Sequence, residues 1–209
     1  MGDDPVNRRL IGAPTIGLVV ALLAAALADV RADAPGASPP AQAIEEVRRA
    51  YAQCRQIQKQ ATPVELYQRR SGNPEVRAWQ RELPAEAERT GRTMKLFTAG
   101  GTLRASVAEV EAPSGDWQQT IEHCFRSDGS VAFVLTVLRT FHGDVQVEDR
   151  LYFNPRGERI RTLRNVSDLK TGKPVKPDEA SFISPKPQLF RTADELLKTV
   201  GPAALPGAK

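Results

Sequence analysis

Phe125-Arg126-Ser127-Asp128-Gly129-Ser130-Val131-Ala132-Phe133, residues 125–133, decides how this 209-residue chain is read. Two apolar ends flank a polar turn, and Gly129 can take a positive φ there without a Cβ clash. The same punctuation recurs outward in both directions. Gly101, Gly115, Gly129, Gly143 and Gly157 fall 14 residues apart, each inside a cluster of turn residues. Asn154-Pro155-Arg156-Gly157 suits a type I turn with proline at its first central position. Every second turn carries Phe-x-x-x-Gly, at Phe97, Phe125 and Phe153, 28 residues apart. Three like hairpins in series predict an up-and-down antiparallel meander.

Six strands are expected, near residues 93–97, 102–112, 117–125, 130–141, 145–153 and 158–166. Alternate residues of a strand take opposite faces of the sheet. One face then collects Trp117, Ile121, Phe125, Val131, Phe133, Leu135, Val137, Phe141, Val145, Val147, Leu151 and Phe153. The other shows Thr120, Glu122, Cys124, Ala132, Val134, Leu138, Glu148, Arg150 and Tyr152. A short loop at 127–129 would set Phe125 against Val131 and Cys124 against Ala132. Trp117, Ile121, Phe133, Leu135, Val147 and Leu151 are the ligand-face candidates, since a wide apolar sheet face is either core or pocket.

Upstream of the meander the chain changes character twice. Residues 1–34 read as a signal peptide: Arg8 and Arg9 precede an apolar run from Leu10 to Ala28, and Ala32-Asp33-Ala34 offers small residues for cleavage. Pro14 and the abundance of alanine and glycine weigh against a retained anchor. Arg8-Arg9 also resembles a twin-arginine start, leaving Sec and twin-arginine export both open. Cleavage after Ala34 leaves 175 residues, enough for one domain, with 26 basic against 21 acidic side chains. That mild, dispersed surplus, like the +4 of the full chain, implies a solvated surface and no nucleic-acid partner. Any membrane contact is expected through the signal segment alone.

Residues 35–40 form a Pro/Gly/Ser/Ala linker. From Ala41 to about Gln60, Ile44, Val47, Tyr51 and Cys54 recur at helical spacing, opposite Glu45, Arg48, Arg49, Arg55 and Lys59. Ser38 is the expected cap, and the first turn accepts Pro39 and Pro40. Residues 63–92 are polar, with a short helix expected from Asn73-Pro74 through Val76, Trp79 and Leu83. After residue 166 comes a Lys/Pro-rich irregular arm, then a capping box, Thr192 and Glu195, opening a short helix. The single domain spans 41–200, and 201–209 is a disordered tail.

Cys54 and Cys124 are the chain's two cysteines, and outside the cytoplasm a disulfide is the default. It would close a loop worth about 4 kcal/mol in the chain-entropy picture. Because Cys124 lies on the more polar face, two arrangements stay open. Either the first helix covers that face and something else covers the apolar one, or a bulge lets Cys124 reach a helix on the apolar side.

Catalytic chemistry is sparse. No motif implies a cofactor or a metal, and His142 falls in a turn. His123 stands among apolar neighbours, where a structural role outweighs a catalytic one. Asp149 shares the parity of Val147 and Leu151, and if Phe141 opposes Val145, Val137 opposes Asp149 and Arg139 is its diagonal neighbour. An Arg139–Asp149 ion pair near the sheet edge, or a bulge turning Asp149 to solvent, is favoured over a catalytic base there.

The segments Cys124–Phe133 and Glu148-Asp149-Arg150-Leu151-Tyr152-Phe153 to Gly157 and Ile160-Arg161 resemble a pattern in small exported bacterial proteins of unknown function with repeated Phe-x-x-x-Gly hairpins. The resemblance implies an exported α+β domain: an amphipathic helix packed on a six-stranded meander, with a short C-terminal helix. The expected function is a periplasmic or secreted, non-enzymatic binding or structural domain of the cell envelope. Its partner would be an envelope protein or a small apolar ligand. The alternatives are a cystatin-like or NTF2-like enzyme pocket around Asp149 and His123, and a lipid carrier with a half-open sheet.

Overall fold

The turn clusters divide the chain into one continuous antiparallel sheet. The computed structural model describes residues 39–69, 79–81, 91–176, 182 and 184–201, and these form seven strands and two helices. α1 is Pro39–Gln60, and the strands are β1 Val64–Arg69, β2 Gly91–Ala99, β3 Thr102–Glu111, β4 Trp117–Phe125, β5 Val131–Thr140, β6 Val145–Phe153 and β7 Arg159–Asp168; α2 is Ala193–Val200. Their order across the sheet is their order in sequence, with every neighbouring pair antiparallel. The α+β meander is therefore present with seven strands instead of six.

The additional strand is β1. It pairs with β2 from Val64↔Leu96 to Arg69↔Gly91, and Tyr67 exchanges both backbone hydrogen bonds with Gln80 at 2.8 Å. Val64 and Leu66 share their face with polar Gln68, and Tyr67 shares the other with Glu65 and Arg69, an alternation too short and polar to stand out. α1 opens at Pro39, with both prolines in its first turn as expected, because N–H groups there have no intrahelical acceptor to lose. Ser38, the signal segment, the Asn73-Pro74 helix apart from Trp79, and residues 202–209 lie outside the described residues.

The three Phe-x-x-x-Gly hairpins share a register device that the sequence pattern conceals. In each, the residue three after the glycine has no partner: Arg104 after Gly101, Ala132 after Gly129, Ile160 after Gly157. Such a bulge puts two successive side chains on one face. So Cys124 opposes Phe133, with Ala132 the extra residue, and the expected Cys124–Ala132 pairing is corrected. Phe125↔Val131 holds. The first hairpin is tighter, a two-residue Gly100-Gly101 loop with both glycines at positive φ (59° and 77°). Its register differs by one, which sends Phe97 to one face and Phe125 and Phe153 to the other.

The 141–144 turn brings a further correction. Thr140, not Phe141, opposes Val145, and the left-handed position is taken by Asp144 at φ 49° rather than Gly143. Phe141 is left in the turn, 57% exposed.

Two covers result. α1 lies on the face of Phe97, Ala105, Cys124, Phe133 and Tyr152, with Val47 and Cys54 buried against it. The Cys54–Cys124 disulfide spans a Cα–Cα distance of 5.8 Å and is fully buried. Tyr51 packs on Phe133 at 4.4 Å between ring centroids, and Phe133 on Tyr152 at 5.1 Å. The opposite face holds Leu66, Met94, Leu96, Ile121, Phe125, Val134 and Leu151 under Phe190, Ala193, Leu196 and Val200. The first of the two sequence arrangements is the observed one: the helix covers the Cys124 face and a C-terminal strap, residues 184–201, covers the other.

The strap is fastened at several points. Val131 N–H donates to the Arg191 carbonyl (2.8 Å) and Ala193 N–H to that of Gly129 (2.9 Å). Thr192 caps α2: Glu195 N–H donates to Thr192 Oγ1 at 3.1 Å, and the Glu195 carboxylate reaches back one residue past the cap to accept from Arg191 N–H at 2.7 Å. Gly201 ends α2 at φ 88°. Among the described residues no helix is long and apolar enough to cross a membrane.

Candidate functional site

On the strap face the side chains of β2, β3 and β4 stand in rows set by the register. Arg92, Val110 and Gln119 form one row, and Met94, Ala108 and Ile121 the next. Ala108 has only a methyl group between two long side chains, so the floor dips there. The strap crosses above in an irregular stretch, Pro185-Lys186-Pro187-Gln188, that cannot interdigitate as a helix would. A cavity of about 320 Å³ remains between strap and sheet. Trp117 and Trp79 form its aromatic walls, Met94, Ala108 and Ile121 its floor, and Arg92, Gln119, Lys186 and Gln188 supply polar atoms. That volume lies within the range of small-molecule sites. It equals the liquid volume of about ten waters.

His123 closes the inner end. It is 2% exposed and uses both ring nitrogens: Nε2 accepts from Phe190 N–H at 3.1 Å, and Nδ1 lies 3.4 Å from Ser106 Oγ. Acceptance at Nε2 places the ring proton on Nδ1. Burial lowers its pKa to about 4, holding the ring neutral. The ring also stacks on Phe125 at 5.8 Å and packs on Phe190 at 5.4 Å. His123 is thus a latch between β4 and the strap. Gln119, 5% exposed, adds a second fastening by donating from Nε2 to the Pro185 carbonyl at 3.4 Å.

A second cavity of about 230 Å³ lies across the strap, between Thr136, Leu138, Val147, Asp149 and Arg164 and the residues Ser184–Pro187. Here the Asp149 expectation is corrected. Asp149 opposes Thr136, not Val137, because the 141–144 turn shifts the register by one. Its carboxylate is held by Arg164 through two hydrogen bonds of 2.7 Å, and this contact raises the Arg164 pKa. Arg139 is on the opposite face, where its Nε donates to Gln146 Oε1 at 3.0 Å.

The ligand-face candidates also separate. Trp117 and Ile121 line the first cavity, Val147 the second, and Leu151 is buried core. Phe133 and Leu135 are moved by the Ala132 bulge to the helix face. There they border a groove of about 320 Å³ with Tyr51, Arg48, Arg150 and Leu163. Arg48 pairs with Glu45, and Arg150 with Glu148 at 2.7 Å, so the groove's charges are already matched. Glu122, 5% exposed beneath α1, accepts from Gln58 Nε2 at 3.0 Å and faces Arg55 at 3.5 Å. Burial raises its pKa, which Gln58 and Arg55 partly offset.

Sequence reading passed over Arg92, Ala108, Gln119, Lys186 and Gln188. Polar Gln119 and His123 flanking Ile121 at period two were the available sign of a site, since polar groups on an apolar parity need partners. Among the described residues no group of three or more His, Cys, Asp or Glu is placed to hold a metal. Fold and site together define a disulfide-stapled helix-on-meander domain with a strap-covered cavity. No protein-family model matches the chain, and no curated protein and no solved structure matches it.

Proposed function

We propose that the protein works outside the cytoplasm, at the cell envelope or beyond it, as a binding domain holding a small ligand beneath the C-terminal strap. The cavity walled by Trp79 and Trp117 carries this reading. A packed core would leave no such volume, since interiors fill to crystal-like density. The buried disulfide suits an oxidising compartment, and residues 1–34 read as a signal for export. A binding role is favoured over an Asp149–His123 enzyme because the two groups border different cavities and both are committed, one to Arg164, the other to Phe190 and Ser106.

The test is to fill the dip in the floor. In Ala108→Leu the neutral fluorescent probe N-phenyl-1-naphthylamine should bind at least about tenfold more weakly, while the thermal midpoint stays within a few degrees. If the space is instead closed core, the wild type will not bind the probe and the overpacked variant will lose about 1–3 kcal/mol.

A further inference from the structure

We infer that the strap cavity is built for an amphipathic anion: an apolar body ending in a carboxylate or a group of like charge. The inference deepens the binding reading above and rests on it. The cavity is bordered by two cationic side chains, Arg92 and Lys186, and by no aspartate or glutamate among its described lining residues. Neither cation takes part in an ion pair among the described residues. They stand on separate elements, Arg92 on β2 and Lys186 on the strap, so no local pattern such as a helical salt-bridge ladder accounts for both.

Lys186 sits between Pro185 and Pro187, whose rings fix φ and hold the strap backbone in one course. Its exposed side chain borders this cavity and also the second one, where Asp149 is already held by Arg164. Other cations of the described residues, exposed Arg159 and Arg161 among them, likewise lack an ion pair, and what sets Arg92 and Lys186 apart is that both border one cavity whose described lining holds no carboxylate. Two cations and no described carboxylate at the tryptophan-walled cavity are what a ligand of negative charge would complete. Trp79, Met94 and Ile121 would hold its apolar part, as side chains with no polar demand in the floor. A guanidinium at the rim suits a carboxylate through paired N–H donors.

Both tryptophans of the chain line this cavity, so tryptophan emission reports on it. Wild-type protein would be titrated with sodium decanoate and, separately, with 1-decanol, which has the same tail and no charge. Decanoate should bind roughly tenfold or more tightly, the size of one charge-assisted hydrogen bond. Arg92→Gln/Lys186→Gln should abolish that preference and leave decanol binding as it was. Arg159→Gln/Arg161→Gln, on exposed β7, should leave the preference intact. Equal affinity for both probes in the wild type, or a preference that survives loss of Arg92 and Lys186, overturns the inference and leaves the cavity reading standing. Failure of both probes to bind overturns the two together.

Discussion

The two faces of the sheet are covered in different ways, and the difference separates scaffold from site. On the helix face, α1 lays a regular apolar stripe into the sheet, and a disulfide holds it there. Its charges are settled locally, Glu122 with Gln58 and Arg55, Arg48 with Glu45. On the other face an irregular strap hangs from a few hydrogen bonds and from α2. Regular ridges can fill the grooves of a partner, whereas a proline-rich crossing touches the sheet at intervals and leaves space between. Arg92 and Lys186 border that space. The comparison teaches that the helix side is closed by a regular stripe and a disulfide, whereas the strap side carries the larger buried apolar cluster under α2 and leaves space where residues 185–188 cross.

The largest effect should come from removing the staple. Cys54→Ala/Cys124→Ala should cost about 4 kcal/mol and lower the thermal midpoint by roughly 10 °C. Tryptophan emission below the transition should not change, because both tryptophans sit on the strap side. An emission shift in the folded variant would break the separation of the two faces.

Acid should act on the faces in opposite senses. The folded pKa of His123, about 4, is below the ordinary 6.5. Between those values the unfolded chain binds the additional proton, so this contribution is complete above about pH 6.5 and is lost as pH falls towards 4. It amounts to about 3 kcal/mol at most. Glu122 has a raised pKa and works the other way, its burial penalty easing as it protonates. Denaturant melts at a series of pH values should therefore show a flatter acid loss in His123→Gln and a steeper one in Glu122→Gln. Parallel profiles for all three proteins would contradict the assignment of either group.

The smallest effect is expected at Asp149. Arg164 is half exposed, so Asp149→Asn should change stability by no more than about 1 kcal/mol. Binding of N-phenyl-1-naphthylamine in the first cavity should be unaffected. A large change in that binding would join the two cavities into one site and reopen a role for the carboxylate.

Local chemistry was legible in the residues themselves. Glycines that need positive φ, a capping box and helical spacing around Cys54 act over a few positions, so six strands, both helices and the disulfide could be read in order. Tertiary structure alone decided which side chains share a face. Strand parity has a period of two, so one unpaired residue at Ala132, or one residue's difference at the 141–144 turn, reverses everything beyond it. That is why Phe133 and Leu135 went under the helix and Asp149 met Arg164 instead of Arg139. β1 became visible only through its partner β2, since its own apolar alternation is two residues, Val64 and Leu66, before polar Gln68. The cavity draws its walls from Trp79, three strands and a strap near residue 186. No segment of the sequence encodes that space, because it is what the strap leaves unfilled when it crosses a floor dipped at Ala108.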